Sequence, residues 1–559
     1  MMTLIHNGVQ FPKKFETKGF SEKLNISLLA EEMLWKFTPY YFNDKYNANK
    51  IFLKNAWRDL KSQLPVNMQN YKFPNDFDFI FMKMRSLNEK IKEQEKIEKK
   101  EHKKELEQEK IEKKEKYGFC YKNGEKIPLS NTMVESSRWF ISRGELCGSW
   151  VSSVKPQDVE INASEEIPCV EGHWKKTELK ENVDFIAHYK INVGFGKAFI
   201  DKFVWLSPSS EDKQEDTEYK YEKARKLLLS LDDIDSRILK DLNSENELIK
   251  ENACVAYIIS QFGIRIGNDN NHSIRDKNVR GASTLCVENI FINDDDVKLS
   301  FVGKDSVVYC ETMTCNPLFV KIISNIICGK KSTDKIFSKA TSMTVNAYLK
   351  SIYDGEISPK LFRTVRATSL LAKQFQSKDW KNLTDKEFKN MVNLCCFEVT
   401  KSLNHKKTLS KEQSEKIDIS IKEKLKKAKQ KYNEDKTKIE LHIMKLNDDV
   451  RKAKIRFSGK ILIEKLASIN DKKKQFQEKL IVAEKKYNDL KENLVFKKES
   501  KDANISTAIN SYSSPTLSYS LCKYANKNPS LLYSKTQLEK FAWAEKVDET
   551  YFMRYPHVD

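Results

Sequence analysis

The stretch KIELHIMKLNDDVRKAKIRFSGKILIEKLASINDKKKQFQEKL occupies residues 438–480. It contains no proline, and its apolar residues recur mostly three and four apart, the period of a helix with one covered seam. The pattern extends over Glu415–Val495. A first arm carries Leu425, Ala428, Tyr432, Ile439, Ile443, Leu446, Val450, Ala453 and Phe457. A second carries Leu466, Ile469, Phe476, Leu480, Ala483, Tyr487, Leu490 and Leu494. Ser458-Gly459 interrupts the period between them, which predicts an antiparallel helical hairpin with a coiled-coil seam. This window holds 23 basic and 14 acidic residues, so it supplies +9 of the chain's net +19. A long basic hairpin suits an arm lying near a phosphate backbone or a purely protein-binding coiled coil, and the seam alone leaves both open.

On the N-terminal side the text changes character twice. Residues 1 to about 85 are aromatic-rich (MLWKFTPYYF, FDFIFMKM) and read as a globular piece. Glu89–Lys116 then has eleven basic and ten acidic residues in 28, without Gly or Pro, and predicts a solvated helix laced with i,i+4 pairs. Residues 117 to about 205 turn β-like, with short apolar runs broken by KNGEK and GFG. From about 218 the period is helical again, through ENELIKENACVAYIISQFGIRIG with Gly267 as the expected C-cap. VKLSFVGKDSVVYCE reads as a β-hairpin with Gly303-Lys304-Asp305 at its tip. Ser358-Pro359 and Thr384-x-x-Glu387 open two further helices, and Ser534-x-x-Gln537 a last one. The expected fold class is α+β, multidomain and helix-rich. Its parts are a β-containing lobe over 1–200, a mainly helical lobe over 201–408, the coiled-coil hairpin over 409–500 and a small helical domain over 501–559.

Composition removes several function classes. Gly (16) and Pro (13) are scarce in 559 residues, against fibrous or linker-like architectures. No apolar run approaches the roughly 20 residues of a membrane span, and MMTLIHNGVQ lacks the features of a secretory signal. The eleven Cys form no C-x-x-C, and reduced thiols in an intracellular protein are expected. GKKST at 329–333 lacks the upstream glycine of a phosphate-binding loop. Asp294-Asp295-Asp296 reads as a solvated turn, and no carboxylate cluster suggests a metal pair. The excess of Lys plus Arg (99) over Asp plus Glu (80) favours a polyanionic partner. Only 14 of those cations are Arg, so each planar guanidinium is a candidate for anion contact in fixed geometry.

Five places carry unusual local text: Ile264-Arg265-Ile266-Gly267-Asn268, Gly303-Lys304-Asp305-Ser306, Lys360-Leu361-Phe362-Arg363-Thr364, Asn404-His405-Lys406 and Ser511-Tyr512-Ser513-Ser514-Pro515. Their order is Arg, Lys, Arg, His, Tyr, with the basic hairpin between His and Tyr. This order resembles the eukaryotic type IB DNA topoisomerases. KEKYGFC (114–120), LSPSS (206–210), YEKARKL (221–227) and KTQLEKFAWA (535–544) resemble that family's text in the same order. The likeness covers essentially the whole chain.

The chemistry of such a set is metal-free transesterification at phosphate. Tyrosine is a weak nucleophile at its usual pKa of about 10 and needs cationic surroundings. Arginine forks and an imidazole can hold the non-bridging oxygens of a phosphorane, and a lysine can protonate the leaving oxygen. The resemblance implies Tyr512 as nucleophile forming a 3′-phosphotyrosine, Arg265, Arg363 and His405 as phosphorane stabilisers, and Lys304 as general acid. It further implies DNA contacts at Arg143, Lys304, Asp305 and Thr507, double-stranded DNA as partner, a monomer, a nuclear location, and no metal, ATP or other nucleotide cofactor. One departure stands beside the nucleophile. The family usually has Asn there and this chain has Ser511, so weakened trapping by camptothecin-type poisons is expected. Two other readings remain in view: a tyrosine-recombinase-like strand transferase, and an inactive basic coiled-coil scaffold on chromatin.

Overall fold

The computed structural model describes residues 2–557 except 143, 170, 269–278, 354, 355, 408 and 410. The described residues are helix-rich and form three separate sheets, an α+β arrangement of several cores.

Two cores lie before residue 207. The first is aromatic. Helices Leu28–Tyr41 and Lys50–Lys61 and the start of Asp78–Glu101 bury Phe37, Phe52, Phe77 and Phe81 against Trp139 and Trp150. The ring of Phe37 meets those of Phe52, Phe73, Phe81 and Trp139, which explains the aromatic density of this segment. The second core belongs to a six-stranded sheet ordered Arg138–Trp139, Trp150–Val151, Phe185–Val193, Val159–Ile161, Lys176–Thr177, with Ala198–Trp205 paired on Phe185–Val193. Alternate residues of the strand Phe185–Val193 point inward: Ala187, Tyr189, Ile191 and Val193 are buried, as period-2 patterning requires, and Ile186, at a register shift beside Phe185, is buried as well.

The charged stretch is not one helix. Asp78–Glu101 ends at His102 (φ −99°, ψ 25°) and Lys103–Tyr117 begins anew. Beyond Met84 this rod buries no apolar face, so no packing holds it straight across the break. Its ion pairs are the expected ones, Lys99 with Glu95 and Lys113 with Glu109.

A third core begins at Ala224 and is centred on the helix Glu247–Phe262, which is buried from Glu251 through Ile259. This helix is capped by Gly263 (φ 61°), four residues earlier than Gly267. The left-handed Gly267 (φ 86°) serves another purpose: it lies against Gly281, where a Cβ would come within 2.5 Å of the Gly267 backbone. The antiparallel sheet of Ile290–Asn293, Asp296–Gly303 and Val307–Thr314 packs on this core, with Lys304 at the turn between the last two strands. Pro359 opens the helix Pro359–Gln376 at its first turn, and Thr384 and Glu387 close a capping box on Asp385–Ser402.

The chain then leaves along Lys411–Arg456 and returns along Gly459–Glu499. Tyr432 stacks on Tyr487 and His442 on Phe476, pairs symmetric about the turn, so the two helices run antiparallel. Most seam residues are half-buried and Ala453 and Leu494 are buried, whereas Phe457 and Leu490 are exposed. After the return, Ala508, Leu517, Leu521 and Phe552 complete the core that Ala224 began. The C-terminal segment is thus packed into the same core as Phe375 rather than beside it.

Candidate functional site

Four of the five motif residues converge, brought from separate segments. Arg363 lies on the second turn of Pro359–Gln376, on the face turned into the core, and is 3% exposed. Its Nη1 donates to the carbonyl of Gly263, and its Nη2 to the carbonyl of Leu403 (3.1 Å) and to His405 Nε2 (2.9 Å). On the next turn Arg366 donates to the carbonyl of Gln261 and through Nε to Ser402 Oγ (2.7 Å). The free carbonyls at the C-terminus of Glu247–Phe262, the negative end of that helix, are therefore covered by two guanidiniums.

Arg265 follows that helix end by two residues. Its loop is fixed by Ala282 N donating to Arg265 O (2.8 Å) and Ser283 N to Ile266 O (2.7 Å). His405 follows Asn404, a left-handed residue (φ 49°) that ends the preceding helical turn, and is 4% exposed. Its carbonyl accepts from Asn504 N (2.7 Å), which draws in the C-terminal segment. Tyr512 caps the short helix Ile505–Ser511 and is 7% exposed. Its ring lies 4.9 Å from that of His405, and the Arg363 guanidinium sits 5.1 Å from the Tyr512 centroid. Thr368, on the helix that carries Arg363, donates to Tyr512 O (3.1 Å) and accepts from Ser514 N (3.2 Å).

The electrostatics follow from packing cations together. Burial, then Arg363 and Arg265, push His405 down to about 3, so its imidazole is neutral. A guanidinium only donates, so Nε2 accepts from Arg363 and the ring proton sits on Nδ1. Burial and then Arg265 bring Arg363 down to about 10. Burial alone would raise the Tyr512 phenol, but Arg363 and Arg265 outweigh it and hold it below the usual value of 10. Arg363 Nε and His405 Nδ1 are buried donors without a partner, as are the hydroxyls of Thr364 and Ser513. Buried donors left open beside clustered cations fit an oxyanion in the gap.

Lys304, the fifth motif residue, is exposed at the hairpin tip with Asp305 (φ 65°). Thr507 is half-buried one turn before Tyr512, and Arg143 lies outside the described residues. Three cations beside Tyr512 had no assigned role in the sequence reading. Lys220 Nζ donates to Ser511 O (3.2 Å), Lys540 Nζ to Asn510 O (3.2 Å), and Lys360 lowers the phenol of Tyr512 from one turn before Arg363. Lys360 stood in a quoted motif, and Lys540 stood in KTQLEKFAWA. Lys220 offered no signal beyond its helical setting, being one lysine among 85. Burial, then Lys360 and Lys540, bring Lys220 down to about 7. Among the described residues no carboxylate pairs with Arg265, Arg363, Lys220, Lys360 or Lys540. No metal-ligating cluster occurs among the described residues, and no helix there is long and apolar enough to cross a membrane.

Three family descriptions match in register with these segments. "Eukaryotic DNA topoisomerase I, DNA binding fragment" matches residues 1–205, the "catalytic core" of the same family matches 209–439, and "C-terminal topoisomerase domain" matches 484–553. The chain belongs to the eukaryotic DNA topoisomerase I family. It is 27% identical to DNA topoisomerase 1 beta of Arabidopsis thaliana over 98% of its own length and 58% of that protein's. It is 26% identical to DNA topoisomerase 1 of Homo sapiens (98% and 71%) and 24% identical to the human mitochondrial DNA topoisomerase I (97% and 89%). The chain thus spans less than two thirds of the Arabidopsis relatives. The catalytic-core match holds Arg265, Lys304, Arg363 and His405, and the C-terminal match holds Tyr512.

A topoisomerase-family site of this charge has a measurable signature. Lys220 is only partly protonated near neutrality, and a bound phosphate restores its charge. Affinity for duplex DNA at fixed ionic strength should therefore weaken as pH rises through 7. Lys220→Met should make that slope shallower and lower the affinity at pH 6, while Lys220→Arg should make it shallower yet keep the affinity. Equilibrium binding of a labelled duplex between pH 6 and 8 checks both.

Proposed function

We propose that the protein is a type IB DNA topoisomerase that relaxes positive and negative supercoils by transient cleavage of one strand. The observation that carries this reading is the buried cluster of Arg363, His405 and Tyr512 with Arg265, to which no carboxylate is paired among the described residues. The phenol of Tyr512, held below its usual pKa, gives its proton to water and attacks a backbone phosphorus as the phenolate. Arg265, Arg363 and His405 stabilise the charge that develops on the non-bridging oxygens. Lys304, reaching in from the hairpin tip, protonates the departing 5′-oxygen. The product is a 3′-phosphotyrosine that stores the energy of the broken link, so resealing by the free 5′-hydroxyl needs no ATP, and no step of this scheme requires a metal.

In this reading residues 1–200 close over duplex DNA, 201–408 form the catalytic part, and the hairpin 409–500 carries the chain to the C-terminal piece with Tyr512. Residues Asp305, Thr507 and Arg143 contribute DNA contacts, and Lys220, Lys360 and Lys540 line the phosphate path beside the nucleophile. The protein acts as a monomer in the nucleus. The hairpin's excess of positive charge lies along the duplex and adds to a salt-dependent, sequence-independent affinity. Recombinase chemistry would use a similar cationic set, but nothing in the site favours it over relaxation.

The primary test is relaxation of negatively supercoiled plasmid with no ATP and excess EDTA. The wild type should yield a ladder of topoisomers and Tyr512→Phe none; a folded wild type without activity returns the chain to the scaffold reading. Arg265→Gln should lower single-turnover cleavage by about 10²–10³-fold. It should also shift the ascending limb of the pH–rate profile to higher pH, because one of the three charges that lower the Tyr512 phenol is gone. Camptothecin should trap the wild type weakly and Ser511→Asn more strongly, read as the covalent complex on gels.

A further inference from the structure

Lys304 is exposed, and among the described residues it forms no hydrogen bond or ion pair. Its aim is therefore set by the hairpin beneath it. The turn itself is two left-handed residues, Asp305 (φ 65°) and Ser306 (φ 55°), between Gly303 and Val307. Two registers below the turn, Tyr309 pairs directly with Phe301, their rings stacked at 5.1 Å. Tyr309 is buried, and its hydroxyl lies 3.0 Å from the carbonyl of Phe262 and 2.9 Å from Glu311 Oε2. A phenol has one proton, so the carbonyl and the carboxylate share it. Burial, and then Glu311, push this phenol well above its ordinary range, so it stays a donor at any working pH.

The position of that carbonyl gives the contact its meaning. Gln261 O accepts from Arg366, Phe262 O from Tyr309, and Gly263 O from Arg363. Three consecutive carbonyls at one helix end thus bind the hairpin that bears Lys304 and the helix that bears Arg363. Arg265 leaves the same helix end along the chain. A second tie reaches the same hairpin from the His405 side, where Asn404 Nδ2 donates to Val308 O (3.1 Å).

We infer that Tyr309 is a positioning residue for proton delivery: its hydroxyl locks the Lys304 hairpin in register with the arginine that holds the phosphate. This rests on the reading of Lys304 as general acid. In the step concerned, the Tyr512 phenol gives its proton to water, a bond forms between Tyr512 Oη and phosphorus, the bond from phosphorus to O5′ breaks, and O5′ takes a proton from the Lys304 ammonium. Losing the tie leaves charge stabilisation in place and misplaces the acid. A misplacement of about 1 Å can cost about 10²-fold.

The experiment is single-turnover cleavage by the full chain of two duplexes that differ in one atom. One has the natural 5′-oxygen at the scissile phosphate and the other a 5′-bridging sulfur. A thiolate leaves without a proton, so the sulfur substrate does not need the acid. Tyr309→Phe keeps the stacked ring and removes one oxygen. It should cleave the oxygen substrate about 10- to 100-fold more slowly, cleave the sulfur substrate at the wild-type rate, and keep the wild-type affinity for duplex. Lys304→Ala, run in parallel, should show the same rescue with a larger defect. If Lys304→Ala is rescued by sulfur and Tyr309→Phe is equally slow on both substrates, Tyr309 serves the arginine side or the fold and the inference is overturned. Wild-type rates for Tyr309→Phe on oxygen overturn it as well. If sulfur does not rescue Lys304→Ala, the acid reading of Lys304 has failed, and the inference falls with it.

Discussion

The C-terminus of the helix Glu247–Phe262 is the point on which the site depends. A helix ends with unpaired carbonyls and partial negative charge, and burying such an end is costly unless donors meet it. Here the donors are Arg366, Tyr309 and Arg363, from one helix and one β-hairpin, on the carbonyls of Gln261, Phe262 and Gly263. Gly263 allows this because the chain must turn left-handed there, and a Cβ would press on Arg366 Cδ at 2.8 Å. One local requirement of backbone chemistry thereby sets the mutual placement of the three basic motif residues. It also lets the Arg363 guanidinium be almost fully buried with no carboxylate paired to it among the described residues, because helix-end carbonyls supply part of the compensating charge.

That compensation is incomplete. Among the described residues Arg363 Nε and His405 Nδ1 have no partner, and both groups are pushed toward neutrality by burial and by neighbouring guanidiniums, Arg265 acting on Arg363 and both arginines on His405. A fold that selected only for stability would pair such groups or replace them with apolar ones. The strain of buried like charges sits where functional sites concentrate perturbed groups. It also prepares the phenol of Tyr512, because the same two guanidiniums that depress the imidazole favour the phenolate. An incoming phosphate would relieve every one of these terms together, which ties affinity to the chemistry proposed.

The C-terminal segment shows how connectivity and packing diverge. Some ninety residues of exposed helix separate His405 from Tyr512 in sequence, yet their rings lie 4.9 Å apart. The closure is made by short links at the hairpin's root, where Lys406 bridges Ala503 and Asn504 donates to His405. Thr368 then fixes the Tyr512 backbone on the helix of Arg363. The C-terminal piece is therefore built partly into the core that starts at Ala224, while Tyr519, Tyr533, Phe541 and Trp543 form a second cluster with Tyr221.

Much was legible in the residues alone because the signals were periodic or local. The hairpin's 3–4 spacing with its Ser458-Gly459 break, the Lys304 turn, the Thr384–Glu387 capping box and the proline at the head of Pro359–Gln376 all rest on contacts within a few residues. The five motif residues were found through ordered text. Local signals also misled where tertiary contacts compete. Gly267 looked like the helix cap, but Gly263 caps the helix and Gly267 makes room for Gly281. The charged rod looked continuous, but it breaks at His102 because nothing packs along it. Lys220, Thr368, Arg366 and Tyr309 carried no sequence signal, since their importance is a distance to a residue far along the chain. The sequence by itself determined which elements form and which side chains are available, because those follow from periodicity, caps and charge over short range. Only the tertiary structure decided which of them share a desolvated space, because the pKa shifts, the open donors and the shared helix end arise when distant segments exclude water together.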